Sequence, residues 1–165
     1  MLKKLFGKKP KILEVKLVSP VEGTILKLED VPDPVFSQKM MGDGIAFFPI
    51  EGKVVAPADA IVINVFPTKH AIALETAEGL EILIHIGLDT VNMKGEGFSV
   101  FVAEGDQVKA GDLLISYSLE LVKEKASSIV TPMIITNGNI LKELQHHYGG
   151  QSVAGKTTVL TAVFE

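Results

Sequence analysis

The sequence predicts an all-β fold, an antiparallel β-sandwich with one or two short helices. Two observations carry that prediction. Ten short apolar or alternating runs are separated by Gly, Pro, Asp or Asn clusters, at the spacing of sheet turns. Apolar residues make up 47% of the 165, so a single domain can bury a core without metal or disulfide staples.

In chain order the strand runs are "ILEVKLVSP", "GTILKL", "GIAFFP", "AIVINVF", "AIALET", "LEILIHI", "FSVFVAEG", "DLLISYS", "SIVTPMIIT" and "TVLTAVF". The sixth is the clearest: Leu80, Ile82, Ile84 and Ile86 recur with period two. Two segments read as helix. "LELVKEKA" (119–126) gives two turns, and "NILKELQHH" gives a short helix capped by Asn137 or Asn139. The longest irregular connection, "EDVPDPVFSQKMMGDG" (29–44), is long enough to carry function. "VSPVEGTILKL" and "VAPADAIVINV" share an apolar-x-Pro frame, which suits two copies of one supersecondary unit.

Composition narrows the function. The chain has no cysteine, which removes disulfides, thiolate nucleophiles and cysteine-ligated zinc. Side chains give residues 1–11 a charge of +5 and the whole chain −4, so residues 12–165 carry −9. All 16 basic residues are lysines, and an acidic body without arginine excludes a nucleic-acid partner. Residues 1–11 read as a basic, flexible N-terminal tail ahead of one domain over 12–165. A weak membrane-surface contact through Leu2, Leu5 and Phe6 is the sharper alternative, with no stable insertion. No apolar run approaches a membrane span and no signal peptide is evident, so a cytoplasmic location is expected.

Several motifs tempt and fail. Gly150 through Thr157 match the phosphate-loop spacing, but the alternating "TVLTAVFE" that follows is a strand and not the helix such a loop needs. Lys94 in "NMKG", with "EGDQVKAGDLL", is similar to the lysine hairpin of biotin- and lipoyl-carrying domains, yet lacks its flanking residues. His146 and His147 are adjacent on the expected helix, about 100° apart, so they cannot face one metal together.

His70 and His85 carry more. A hairpin centred between Ala77 and Glu78 sets Ile72 opposite Leu83 and His70 opposite His85, with Cβ atoms about 5 Å apart. A slip of one residue would send the imidazoles to opposite faces. Paired imidazoles can bind a metal, but two ligands make at best a weak zinc site. They can also work as a nucleophile and an anion holder, which is what phosphoryl transfer to imidazole requires. Two satisfied histidines at a sheet edge are the plain alternative.

"LEILIHIGLDTVNMKGEGF", with "FPTKHAIALET" and "VPDPVFSQKMMGDGIAFFP" upstream, closely resembles the glucose-type enzyme IIA of the bacterial phosphoenolpyruvate-dependent sugar phosphotransferase system. The resemblance runs from about residue 15 to the C-terminus and includes "VAEGDQVKAGDLL" and "TPMIITN". It implies a phosphocarrier, a transferase in the broad sense. The carrier accepts phosphate from the phosphocarrier protein HPr on His85 and passes it to the IIB domain of a sugar permease. It implies that His70 holds the phosphoryl group, that Thr68 orients the His70 ring, and that the Gly87 carbonyl fixes the His85 ring. It places Asp33 and Asp89 beside the site and Val35, Phe36 and Ile45 in an exposed apolar patch that partners meet.

The implied fold is a barrel-sandwich of six- and three-stranded sheets with a duplicated hybrid motif. No cofactor is required, though Zn²⁺ could bind at His70 and His85 with a ligand supplied by a partner. The chain departs from the family pattern at Pro34 and Lys69, and its own methionine and tail suggest a stand-alone IIA protein. A regulatory binding module using the same face is the alternative. A zinc peptidase on the same fold lacks its further ligands.

Overall fold

A computed structural model describes residues 13–165; the basic tail and its membrane contact lie outside the described residues. Fourteen strands run in the order β1 (Glu14–Val18), β2 (Gly23–Lys27), β3 (Asp43–Pro49), β4 (Lys53–Val55), β5 (Ala60–Val65), β6 (Ala71–Glu75) and β7 (Glu81–His85). After these come β8 (Phe98–Val100), β9 (Gln107–Val108), β10 (Leu113–Tyr117), β11 (Thr131–Ile135), β12 (Leu141–His146), β13 (Gln151–Ser152) and β14 (Thr158–Phe164). Among the described residues the two α-helices are α1 (Pro34–Ser37) and α2 (Leu119–Lys125).

Every pairing is antiparallel. The large sheet has the order β13-β2-β3-β11-β7-β6-β5-β9, and two three-stranded sheets have the orders β1-β14-β12 and β4-β10-β8. The six-stranded sheet implied by the resemblance is therefore eight-stranded here, because the two-residue strands β13 and β9 pair onto its two ends. Between the sheets sits the main core, with Leu17, Ile45, Phe47, Ile72, Leu74, Ile82, Ile84, Leu114 and Leu160 essentially sealed from water. Each such side chain contributes about 1.5–3 kcal/mol by its burial.

The large sheet's other face is also covered. Leu28, Val31 and Phe36, from the 28–38 connection, pack on Ala46, Ala71, Leu83, Leu88 and Ile134. Alternation on β7 explains this: Ile82 and Ile84 face the main core, while Leu83 faces the second one. The loop expected over 29–44 thus contains α1. Asp33 caps it by accepting from Val35 N at 3.0 Å, and Pro34 takes the first helical position, where no amide is needed.

Helix α2 forms where expected, with Ser118 accepting from Leu121 N at 3.1 Å. The second expected helix does not form. After a 3₁₀ turn at Gly138–Ile140, "LKELQH" is strand β12, paired along β14. Neither Asn137 nor Asn139 caps a helix; Asn137 instead bonds Glu81 N and the Gly79 carbonyl. A register shift between Leu141 and Glu143 turns both Leu141 and Leu144 toward the core. That bulge produces a helix-like spacing on a strand. His146 consequently bridges to Asp43 at 3.1 Å, and His147 Nε2 bonds Thr161 Oγ1 at 2.8 Å.

The echo between the two Pro-containing repeats is a spatial symmetry. Val18 N donates to the Pro57 carbonyl and Val55 N to the Pro20 carbonyl, at 2.9 and 2.8 Å. Ser19 bonds residues 155 and 157 as Ala56 bonds residues 111 and 112. The phosphate-loop lookalike is therefore the twin of the 109–112 turn, and strand β14 follows it.

Candidate active site: two anchored imidazoles

β6 and β7 join through residues 76–80. Thr76 N donates to the Leu80 carbonyl and Gly79 N to the Thr76 carbonyl, with Gly79 at φ 90°. This three-residue hairpin loop needs a left-handed residue in that place. It sets Glu75 opposite Glu81, Ile72 opposite Ile84 and Ala71 opposite His85. The register is one residue away from the expected one, so His70 is not the cross-strand partner of His85. The imidazoles nonetheless meet, with ring centroids 4.9 Å apart and planes at 80°. His70 precedes β6 and follows Lys69, whose φ is 64°, so its ring escapes the alternation of the strand. Its carbonyl accepts from Ile86 N at 2.7 Å and keeps the two segments together.

Each ring is anchored at Nδ1. His85 Nδ1 donates to the Gly87 carbonyl at 2.8 Å, while His70 Nδ1 and Thr68 Oγ1 are hydrogen-bonded at 2.7 Å. Gly87 has φ 71°, and a Cβ there would lie 2.6 Å from Thr90 Cγ2 and 2.9 Å from the Ser128 carbonyl, so only glycine fits. Phe36 tilts against the His85 ring at 5.1 Å, and the Phe66 ring stands edge-on to His70 at 5.8 Å. These apolar walls disfavour the charged imidazoles. Burial, with the neighbouring His85, lowers His70 to about 4, only partly offset by hydrogen bonding to Thr68. Burial also lowers His85, opposed by its bond to Gly87 and by the Asp33 and Asp89 carboxylates. At neutral pH the site holds two uncharged rings, and the Nδ1 bond leaves His85 with its lone pair on Nε2.

Comparison with known proteins identifies the family. The family model for the phosphoenolpyruvate-dependent sugar phosphotransferase system, EIIA 1, matches residues 15–141. The chain belongs to this EIIA family. The "PTS system glucose-specific EIIA component" of Halalkalibacterium halodurans is 50% identical, over 98% of this chain and 97% of the relative. The protein of that name in Bacillus cereus is 49% identical, over 97% of each. The solved glucose permease IIA of Mycoplasma capricolum superposes with a TM-score of 0.81 at 38% identity, covering 90% of this chain and 96% of that one. As an EIIA component the chain is a phosphocarrier of the sugar phosphotransferase system, a family whose partners are HPr and IIB domains in general.

Within this EIIA domain, the other expected site residues divide. Asp33 and Asp89 both act on His85 electrostatically. Val35 is exposed at 39%. Phe36 and Ile45 do not form the expected exposed patch. Phe36 is 4% exposed because it roofs the second core, and Ile45 is fully buried because its position on β3 points between the sheets. No group of three or more His, Asp or Glu side chains is placed to hold a metal among the described residues. Two imidazoles alone fill half of a tetrahedral shell, and a bound zinc would need further ligands. A cavity of about 670 Å³ beside β5 and β9, lined by Asp59, Ile61, Glu75 and Lys109 among others, contains neither histidine.

Sequence reasoning missed Ser127 and Ser128. The Leu88 amide donates to the Ser128 carbonyl, and the Ser127 amide to the Leu88 carbonyl, at 2.9 and 3.1 Å. The Ser127 hydroxyl donates to Asp89 Oδ2. Nothing in "KASSIV" signals this, since the contacts join residues nearly forty apart in sequence.

Proposed function

We propose that His85 is the phosphorylated residue and that His70 holds the transferring group. The observation that carries this reading is the Nδ1–H bond from His85 to the Gly87 carbonyl, made beside a second neutral imidazole. The His85 Nε2 lone pair attacks phosphorus, a nitrogen–phosphorus bond forms, and the donor's own nitrogen–phosphorus bond breaks with its electron pair returning to the donor ring. The proton stays on Nδ1, hydrogen-bonded to the Gly87 carbonyl, so no proton need move.

A Thr68 hydroxyl that donates to His70 Nδ1 leaves the one proton of that neutral ring on Nε2, where it can bond a phosphoryl oxygen. Reversal of the step toward a IIB domain completes the carrier cycle. HPr as donor, a sugar-permease IIB domain as acceptor and a cytoplasmic location complete the proposal; no helix among the described residues is long and apolar enough to cross a membrane.

Incubation with phosphoenolpyruvate, enzyme I and HPr, followed by mass spectrometry, tests this. The expected result is a gain of one phosphoryl group, labile in acid and mapping to His85. Absence of the adduct, or its placement elsewhere, defeats the reading.

A further inference from the structure

Asp89 stands out among the residues beside His85. It is exposed, and its backbone is left-handed at φ 61°, a conformation that aspartate adopts more readily than most residues. Three contacts hold it there: the two backbone bonds between 88 and 127–128, and the Ser127 hydroxyl on Oδ2. Oδ1 has no partner among the described residues. The same short ladder braces the turn containing Gly87, whose carbonyl anchors His85.

We infer that Ser127 is a positioning residue: its hydroxyl holds the Asp89 carboxylate in a fixed orientation, with Oδ1 free to meet a cation on the docking rim of a phosphoryl donor. The inference rests on the carrier reading above. A donor with a basic rim suits this face, because Asp33 and Asp89 are acidic and the chain contains no arginine. An exposed carboxylate normally samples several rotamers, and fixing it before docking removes that ordering cost from association. The hydroxyl touches neither imidazole and reaches His85 only through the Asp89 carboxylate, so its larger effect falls on docking.

The test is steady-state phosphorylation of the full chain by phospho-HPr, regenerated with enzyme I and phosphoenolpyruvate, with the chain's concentration varied. Ser127→Ala should raise KM roughly three- to tenfold and change kcat by less. Asp89→Asn should raise KM by a similar or larger factor, and the double variant should be no worse than Asp89→Asn alone. Ser127→Thr keeps a hydroxyl and should restore most of the loss. An unchanged KM in Ser127→Ala overturns the inference, as does a fall in kcat alone or full additivity with Asp89→Asn. If wild type itself takes no phosphate, the carrier reading fails first. If wild type is phosphorylated and Ser127→Ala behaves identically, only the positioning role fails.

Discussion

His70 and His85 stand edge to face at 4.9 Å, although His85 is paired across the ladder with Ala71. The contact therefore comes from the segment entering β6 and not from strand register. Each ring has its own Nδ1 anchor, Thr68 for one and the Gly87 carbonyl for the other. Different anchors allow different duties.

Replacement of each histidine should separate those duties. His85→Ala is expected to abolish phosphoryl uptake. His70→Gln is expected to accept phosphate but pass it on poorly, because an amide can bond the phosphoryl group without supplying imidazole chemistry. Mass spectrometry reads uptake, and transfer to a IIB domain reads delivery. Wild-type uptake in His85→Ala would exclude His85 as the acceptor.

Gly87→Ala should cost about 2 kcal/mol or more. The added methyl meets Thr90 Cγ2 and the Ser128 carbonyl in a left-handed conformation, which alone costs about 1–2 kcal/mol. Denaturant titration measures the loss. Nitrogen NMR of the His85 ring should show a mixture of tautomers in place of one, since the carbonyl that accepts from Nδ1 is displaced. A stable variant with a single unchanged tautomer would show that the glycine is dispensable.

Acid should weaken the fold through His70. Its folded value near 4 lies below the ordinary 6.5, so the unfolded chain binds the proton more readily. The stability it contributes is complete above pH 6.5 and is lost between 6.5 and about 4, reaching roughly 3 kcal/mol. His85 is shifted in the same direction. Denaturation midpoints across pH 7 to 4, compared with His70→Gln, measure the effect. An equally steep acid loss in that variant would assign it to other groups.

Burial separates two apolar residues once grouped together. Ile45→Ala should destabilise by about 2–5 kcal/mol through a cavity between the sheets. Val35→Ala should change stability by less than about 0.5 kcal/mol, because Val35 is 39% exposed. HPr affinity, measured under conditions where both variants are folded, should fall for Val35→Ala and stay level for Ile45→Ala. The opposite ranking would mean that Ile45 reaches the surface on docking.

Much of this architecture is legible in the residues because burial and periodicity agree there. All ten apolar runs contain strands, and "LELVKEK" with its preceding serine is helix α2. β12 misled because a bulge gave Leu141 and Leu144 a helical interval. The β6–β7 register missed by one because a three-residue loop built on Gly79 replaced the expected even turn. The two-residue strands β9 and β13 are too short to carry any period. At the site, the anchors within two residues of each histidine follow from the family resemblance, whereas Ser127 comes from a distant segment and leaves no local mark.

The exchanged backbone bonds around Ser19 and Ala56 bear on how the molecule comes apart. Neither repeat closes its own Pro-containing turn: Pro20 receives the amide of Val55, and Pro57 that of Val18. The glycines of the two twin turns touch as well, since a Cβ on Gly155 would lie 3.2 Å from Gly111 Cα. Like two clasped hands, the halves release together or not at all. A chain cut between the repeats should yield fragments that are disordered alone and recover the fold when mixed, while unfolding of the intact chain registers as one concerted transition.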